Sequence, residues 1–244
     1  MTDLDYELKE YQEILFSKKE GQAGREYLKK RNILPSTAKV WGLGFCPINY
    51  IPLIYRKKQN KYQYKMLWDR LIIPVYNVHG KLISIGGRLI YKSKNTKYAN
   101  YQFTNSRNLF GIYLNYQEIR KQNIAIITEG QLDVISAWQK GIKTVTCSFG
   151  AHSGIEQIAL LSRYTDNIYV IYDSDAAGSK GLNALKKIKS GDINLKLLSN
   201  LFPAGQDLDN WLQYHSKEEF YNLLNNNTIS LQQRLLNQLS INCY

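Results

Sequence analysis

The chain is poor in the residues that staple small secreted folds. Only three cysteines stand among its 244 residues, at 46, 147 and 243. They show no Cys-x-x-Cys or Cys/His grouping, which argues against a disulfide framework or a structural zinc site and fits a reducing compartment. No zinc is expected here, and Cys46 and Cys147 read as small buried apolar residues. No run of 18 or more apolar residues occurs, so nothing is expected to span a membrane. The first twenty residues are acidic and helix-like, which excludes a secretory signal and argues against a transit peptide. A GxxxxGK[ST] phosphate loop is absent too, so the chain holds no ATPase of that type. What is present, 44% apolar and 21% charged residues, describes an ordinary soluble protein with room for one large or two modest domains.

Positive charge is abundant and unevenly placed. The net charge is +12, and residues 1–122 carry 22 Lys+Arg against 9 Asp+Glu, a net of +13. Residues 123–244 carry 10 against 11. Between 50 and 100 eleven cations face only Asp69. A basic half beside a neutral one points to a polyanion, most often nucleic acid, against the plainer reading of a generally basic surface. The tyrosines among those cations (Tyr50, Tyr55, Tyr62, Tyr64) are weak evidence for base stacking.

Hydrophobic periodicity then divides the chain. Leu4, Leu8, Tyr11, Ile14 and Leu15 recur at helical spacing, a second helix covers 24–31, and Ser36 is expected to cap a third. Arg70–Val78 and Lys81–Arg88, joined at His79-Gly80, read as a β-hairpin with a bulge or close backbone approach at Gly86-Gly87. A short strand is expected near Tyr98–Phe103. After 122 the rhythm becomes strand–helix–strand. Four short apolar strands, Ile124–Thr128, Thr144–Ser148, Ile168–Tyr172 and Leu195–Ser199, alternate with helices over 131–140, 154–164 and 176–189. The pattern predicts a parallel α/β sheet preceded by a basic α+β subdomain. The expected divisions are 1–122, 123–205 and a helical tail over 206–244, with Ser216 capping a helix.

Functional groups of a parallel sheet gather at the carboxyl ends of its strands. Glu129 follows the first strand, with Gly130 behind it and Asp133 one turn into the helix. Asp173 and Asp175 follow the third, spaced to share one face of an extended segment. Asp207 and Asp209 follow the fourth. Crowded carboxylates repel one another unless a hard cation sits among them, and Mg²⁺, or Mn²⁺ in its place, takes oxygen ligands and is completed by substrate phosphates. Each acid has a plainer reading: a solvated loop for Glu129 or for the Asp pair, helix-dipole complementation for Asp133, a helix N-cap for Asp207. Their placement after successive strands of one α/β unit favours a metal-dependent phosphoryl-transfer site.

At ITEGQLDVISAWQKGI, IYVIYDSDAAGSKGL and PAGQDLDNWL the chain resembles the TOPRIM domain of bacterial-type primases, topoisomerases and some nucleases. The preceding MLWDRLIIPVYNVHGKLISIGGR and TKYANYQFTNSRNLFGIYLN are similar to the basic subdomain of bacterial (DnaG-like) primases. REYLKKRNILPSTAKVWGLGFCP resembles that family's opening segment. The resemblance covers roughly residues 10–215. It implies synthesis of short RNA primers on single-stranded DNA during replication. By it Glu129 is a general acid/base or metal ligand, Asp173 and Asp175 are metal ligands, and Asp207 and Asp209 are further carboxylates near the metals. It also implies a groove for template and nucleoside triphosphates lined by Arg70, Arg88, Lys97, Asn100 and Arg107.

The sequence departs from that family at Asn105, where Lys is usual, at Ala176, where Arg is common, and at Leu208, where Pro usually stands. Tyr101 replaces the usual Ser. Neither the family's zinc-ribbon module nor its helicase-binding region is recognised, so a replicative helicase is expected as a separate partner and no membrane is. Location in the cytoplasm and nucleoid, or inside an organelle, follows. The competing readings are TOPRIM-type strand cleavage, as in a nuclease or topoisomerase, and a non-catalytic core that only holds single-stranded DNA.

Overall fold

A computed structural model describes residues 1–53, 63–91, 96–101, 107–149, 154–172, 193–198, 201–203 and 205–227. The chain divides into two compact units, Met1–Phe103 and Thr104–Tyr244.

In the first unit α1 (Asp3–Ser17) starts at Thr2, whose hydroxyl and the Asp5 carboxylate cap each other's backbone. Its apolar stripe, Leu8, Tyr11, Ile14 and Leu15, is buried, as the helical spacing requires. Helices α2 (Gln22–Lys30) and α3 (Pro35–Val40) follow. Ser36 is not the cap of α3: Leu34 holds that position and Pro35 opens the helix, where its missing N–H leaves nothing unsatisfied. A short strand the periodicity did not reveal, β1 (Gly44–Cys46), comes next. It joins β2 (Arg70–Tyr76), β3 (Leu82–Leu89) and β4 (Tyr98–Asn100) in an antiparallel sheet of order β1-β2-β3-β4. The expected hairpin is β2–β3. Its register slips between Val75 and Tyr76, so the bulge lies there, and Gly86 and Gly87 mark close approach instead. The core gathers Tyr11, Ile14, Leu15, Leu43, Phe45, Leu67, Ile72 and Ile85. Within it Glu7 is fully buried, and one of its oxygens accepts from the Tyr11 hydroxyl at 2.8 Å and the Tyr101 hydroxyl at 2.6 Å.

The second unit opens with α4 (Ile112–Gln122), a helix the sequence reading did not single out. The division at 122 would place α4 with the basic half. It packs in the second unit, where the Asn115 side-chain amide donates to the Val145 carbonyl at 2.7 Å. Four parallel strands follow, β5 (Ala125–Thr128), β6 (Val145–Cys147), β7 (Asn167–Ile171) and β8 (Asn194–Leu198), in the order β6-β5-β7-β8. All four residues of β5 are buried, because helices cover a parallel sheet on both faces. Helices α5 (Gln131–Gln139), α6 (Ile155–Leu161), α7 (Leu208–Leu212) and α8 (Lys217–Asn226) complete the described part, with Ser216 capping α8 as expected. The fold is thus α/β with a parallel sheet flanked by helices. The helix expected over 176–189 lies outside the described residues. Among the described residues no helix is long and apolar enough to cross a membrane.

Candidate active site and basic face

Glu129 leaves the carboxyl end of β5 half-buried, one residue before the turn into α5. Two groups fix its backbone. The Cys147 thiol, fully buried at the end of neighbouring β6, donates to the Glu129 carbonyl at 2.9 Å and accepts from the Phe149 N–H at 3.2 Å. Phe149 itself stands at φ 63°, a left-handed conformation that a bulky side chain holds only when its surroundings enforce it. On the other side Gly130 N–H donates to Asp133 Oδ2 at 3.1 Å. Asp133 Oδ1 accepts from Asp209 N–H at 3.1 Å, and Asp209 in turn accepts from the Ser136 hydroxyl. A relay of two buried carboxylates therefore ties α7 to α5 and holds the turn beside Glu129.

Strand β7 runs parallel to β5, Ile127 facing Val170. The chain reaches Tyr172 at that same edge, one residue before Asp173. Asp173 and Asp175 lie outside the described residues, as do Asn105 and Ala176. Asp207 caps α7, its Oδ1 accepting from Asn210 N–H at 2.9 Å, and Asp209 is 2% exposed. One oxygen of each is therefore engaged inside the protein. Among the described residues no three of His, Cys, Asp and Glu converge. The donors at this edge are carboxylate oxygens, suited to a hard divalent cation. Cys46 and Cys147 are free and buried, at separate strand ends in different units.

The first unit carries four of the five residues expected to meet template or nucleotides. Arg70 is 5% and Arg88 8% exposed. The Arg88 guanidinium lies 4.7 Å from the centroid of the Tyr98 ring, its partner across β3–β4. Its Nε and the Asn100 Oδ1 are buried without a hydrogen-bond partner. Lys97 is exposed beside them. Arg107 belongs to the second unit and is exposed 3.6 Å from Glu156. Tyr50 donates its hydroxyl to Glu10 at 2.6 Å, so it is tied into α1. Tyr55 and Tyr62, and the side chain of Tyr64, lie outside the described residues. Sequence reasoning missed Cys147 and Ser136. Nothing in spacing marks a thiol or hydroxyl whose partner is a backbone carbonyl or a carboxylate far along the chain.

Residues 126–212 match the Toprim-like family model, and residues 51–116 match the N-terminal domain of the DNA primase catalytic core. The two matches follow one another in the order the resemblance required, nine residues apart. The chain belongs to the DnaG-type primase family. Across 236 residues the DnaG-type chain is 30% identical to the DNA primase of Aquifex aeolicus, covering 88% of itself and 46% of that relative. It thus spans less than half of the curated protein. A solved DnaG catalytic core superposes on 98% of the chain and 83% of its own, at TM-score 0.82 and 25% identity. The Aquifex aeolicus primase structure, of zinc-binding and RNA polymerase domains, matches 98% of the chain and 63% of its own, at TM-score 0.81 and 28% identity.

Proposed function

We propose that this DnaG-type chain joins ribonucleoside triphosphates into short RNA primers on single-stranded DNA, as a nucleotidyltransferase. The observation that carries the reading is the carboxyl edge of the parallel sheet. There Glu129, anchored from both sides, stands at the end of the strand paired with the one that leads into Asp173. Glu129, Asp173 and Asp175 would hold Mg²⁺, with Asp207 and Asp209 as neighbouring carboxylates. The ion supplies charge neutralisation for an attacking 3′-hydroxyl and a departing pyrophosphate. The protein's part is to keep Glu129 in place through Cys147 and the Asp133–Asp209 relay, since a carboxylate displaced by an ångström loses much of its effect. Arg88, Lys97 and Asn100 would meet template or triphosphate oxygens in the first unit, and Arg107 in the second. A replicative helicase is the expected separate partner, in the compartment where the DNA is copied.

The test is incubation of the chain with single-stranded DNA, labelled ribonucleotides and Mg²⁺, beside an Asp173→Ala/Asp175→Ala double variant. Short RNA made by the first and not by the second supports the proposal. Shortened DNA would replace it with strand cleavage, and equal DNA binding without product would replace it with a binding core.

A further inference from the structure

Arg70 opens β2, and by family resemblance it belongs among the groups that touch template. Its surroundings say otherwise. The guanidinium Nε donates to the Met66 carbonyl at 2.8 Å. One terminal nitrogen donates to the carbonyls of Gly87 and Lys97 at 3.3 and 3.2 Å. The other donates to the Thr96 carbonyl at 3.0 Å. Four hydrogen bonds use four of the five N–H donors an arginine has. The acceptors come from three places: the 3₁₀ turn Gln63–Leu67, the later half of β3 and the entry to β4. Among the described residues no carboxylate forms an ion pair with it. A buried cation satisfied by neutral carbonyls is held by geometry, and a planar fork supplies that geometry where a lysine ammonium would not.

Gly87 is the seat of the arginine stem. A Cβ there would stand 2.7 Å from Arg70 Cδ and 3.0 Å from Leu67 Cδ2. The Lys97 carbonyl also accepts from Leu89 N–H at 3.0 Å, so the entry to β4 is pinned from two directions. That entry carries Lys97, Asn100 ends the same strand opposite Gly86, and Arg88 lies directly across the sheet from Tyr98.

We propose that Arg70 is a positioning residue: it fixes the β3–β4 corner that presents Arg88, Lys97 and Asn100 to the template, and makes no phosphate contact itself. The assignment rests on the template-binding reading of that face, but its first test does not. In the free protein, hydrogen exchange at the amides of Leu89 and Tyr101 reports whether the corner is formed. Both Arg70→Gln and Arg70→Lys lose protection there, although the second keeps the charge. Template KM in primer synthesis then rises roughly tenfold in both, while kcat at saturating template stays within about twofold. Gly87→Ala, which keeps the arginine and displaces its stem, reproduces both effects and serves if the Arg70 variants do not fold. Native protection in Arg70→Gln together with a raised KM would mean a direct phosphate contact and overturn the proposal. Rescue of KM by Arg70→Lys would do the same. A wild-type chain that makes no primer sinks the functional reading alone, since the exchange measurement still decides whether Arg70 holds the corner.

Discussion

Several of the ionisable residues that draw the eye in this sequence are engaged inside the protein. Glu7 holds two tyrosine hydroxyls, Arg70 four carbonyls, and Asp133 and Asp209 one another's helices. The Cys147 thiol carries a comparable load at lower visibility, because it is bonded to the Glu129 carbonyl and to the strained turn at Phe149. Cys147→Ala is expected to lower kcat about fivefold, the scale of one net hydrogen bond of about 1 kcal/mol. Cys147→Ser, which can donate again, should recover part of the loss, and steady-state primer synthesis at saturating template measures both. Tyr11 yields a prediction in pH. Burial, and then the nearby Cys46, Glu7 and Tyr101, push its hydroxyl well above the ordinary value of 10.0. The folded state therefore keeps Tyr11 neutral while the unfolded chain ionises. The stability this contributes is complete below pH 10 and is lost as pH rises beyond it. Urea midpoints between pH 8 and 11 should fall on the alkaline side, and Tyr11→Phe should flatten that fall.

At the scale of elements, close contact and capping decide what forms. Helix α1 lies directly on β1 at Gly44, where a Cβ would stand 2.7 Å from Tyr11 Cβ and 2.8 Å from the Tyr11 carbonyl carbon. Neither neighbour is the end of a flexible side chain. Gly44→Ala is therefore expected to destabilise the first unit by about 1–3 kcal/mol through overpacking, read from its chemical denaturation curve. Helix α8 begins with a reciprocal box in which Ser216 Oγ accepts from Glu219 N–H at 3.1 Å and Glu219 accepts from Ser216 N–H at 2.7 Å. Ser216→Ala should cost about 1 kcal/mol, visible as a lower melting temperature. The elements easiest to read were those whose own side chains declare their period: α1, the β2–β3 hairpin and the four parallel strands. Strand β1 has only three residues, too few for alternation to show. Helix α4 was passed over although Ile112, Asn115 and Ile119 share its buried side, because a polar residue holds the middle of that stripe.

For the whole molecule the charge distribution is the property with the longest reach. The first 122 residues carry a net +13, so binding to a single-stranded oligonucleotide should weaken linearly in log–log terms with salt. The slope is expected near 0.7 for each phosphate neutralised, measured by fluorescence anisotropy. Lys97→Gln should reduce that slope by about one such contact. A slope near zero would remove the polyanion from the account of this surface.

The sequence by itself determined the α/β class, the strand–helix rhythm after 122, the basic half and the place of Glu129 at the end of β5. These follow from side-chain periodicity and from charge, which are local properties. Only the tertiary structure decided which charged groups face inward. Arg70 finds its acceptors at Met66, Gly87, Thr96 and Lys97, Asp209 finds Ser136 on another helix, and Cys147 finds the carbonyl of Glu129. A hydrogen bond to a backbone group tens of residues away leaves no mark in composition or spacing, because every residue offers the same carbonyl. Folding alone chooses among them.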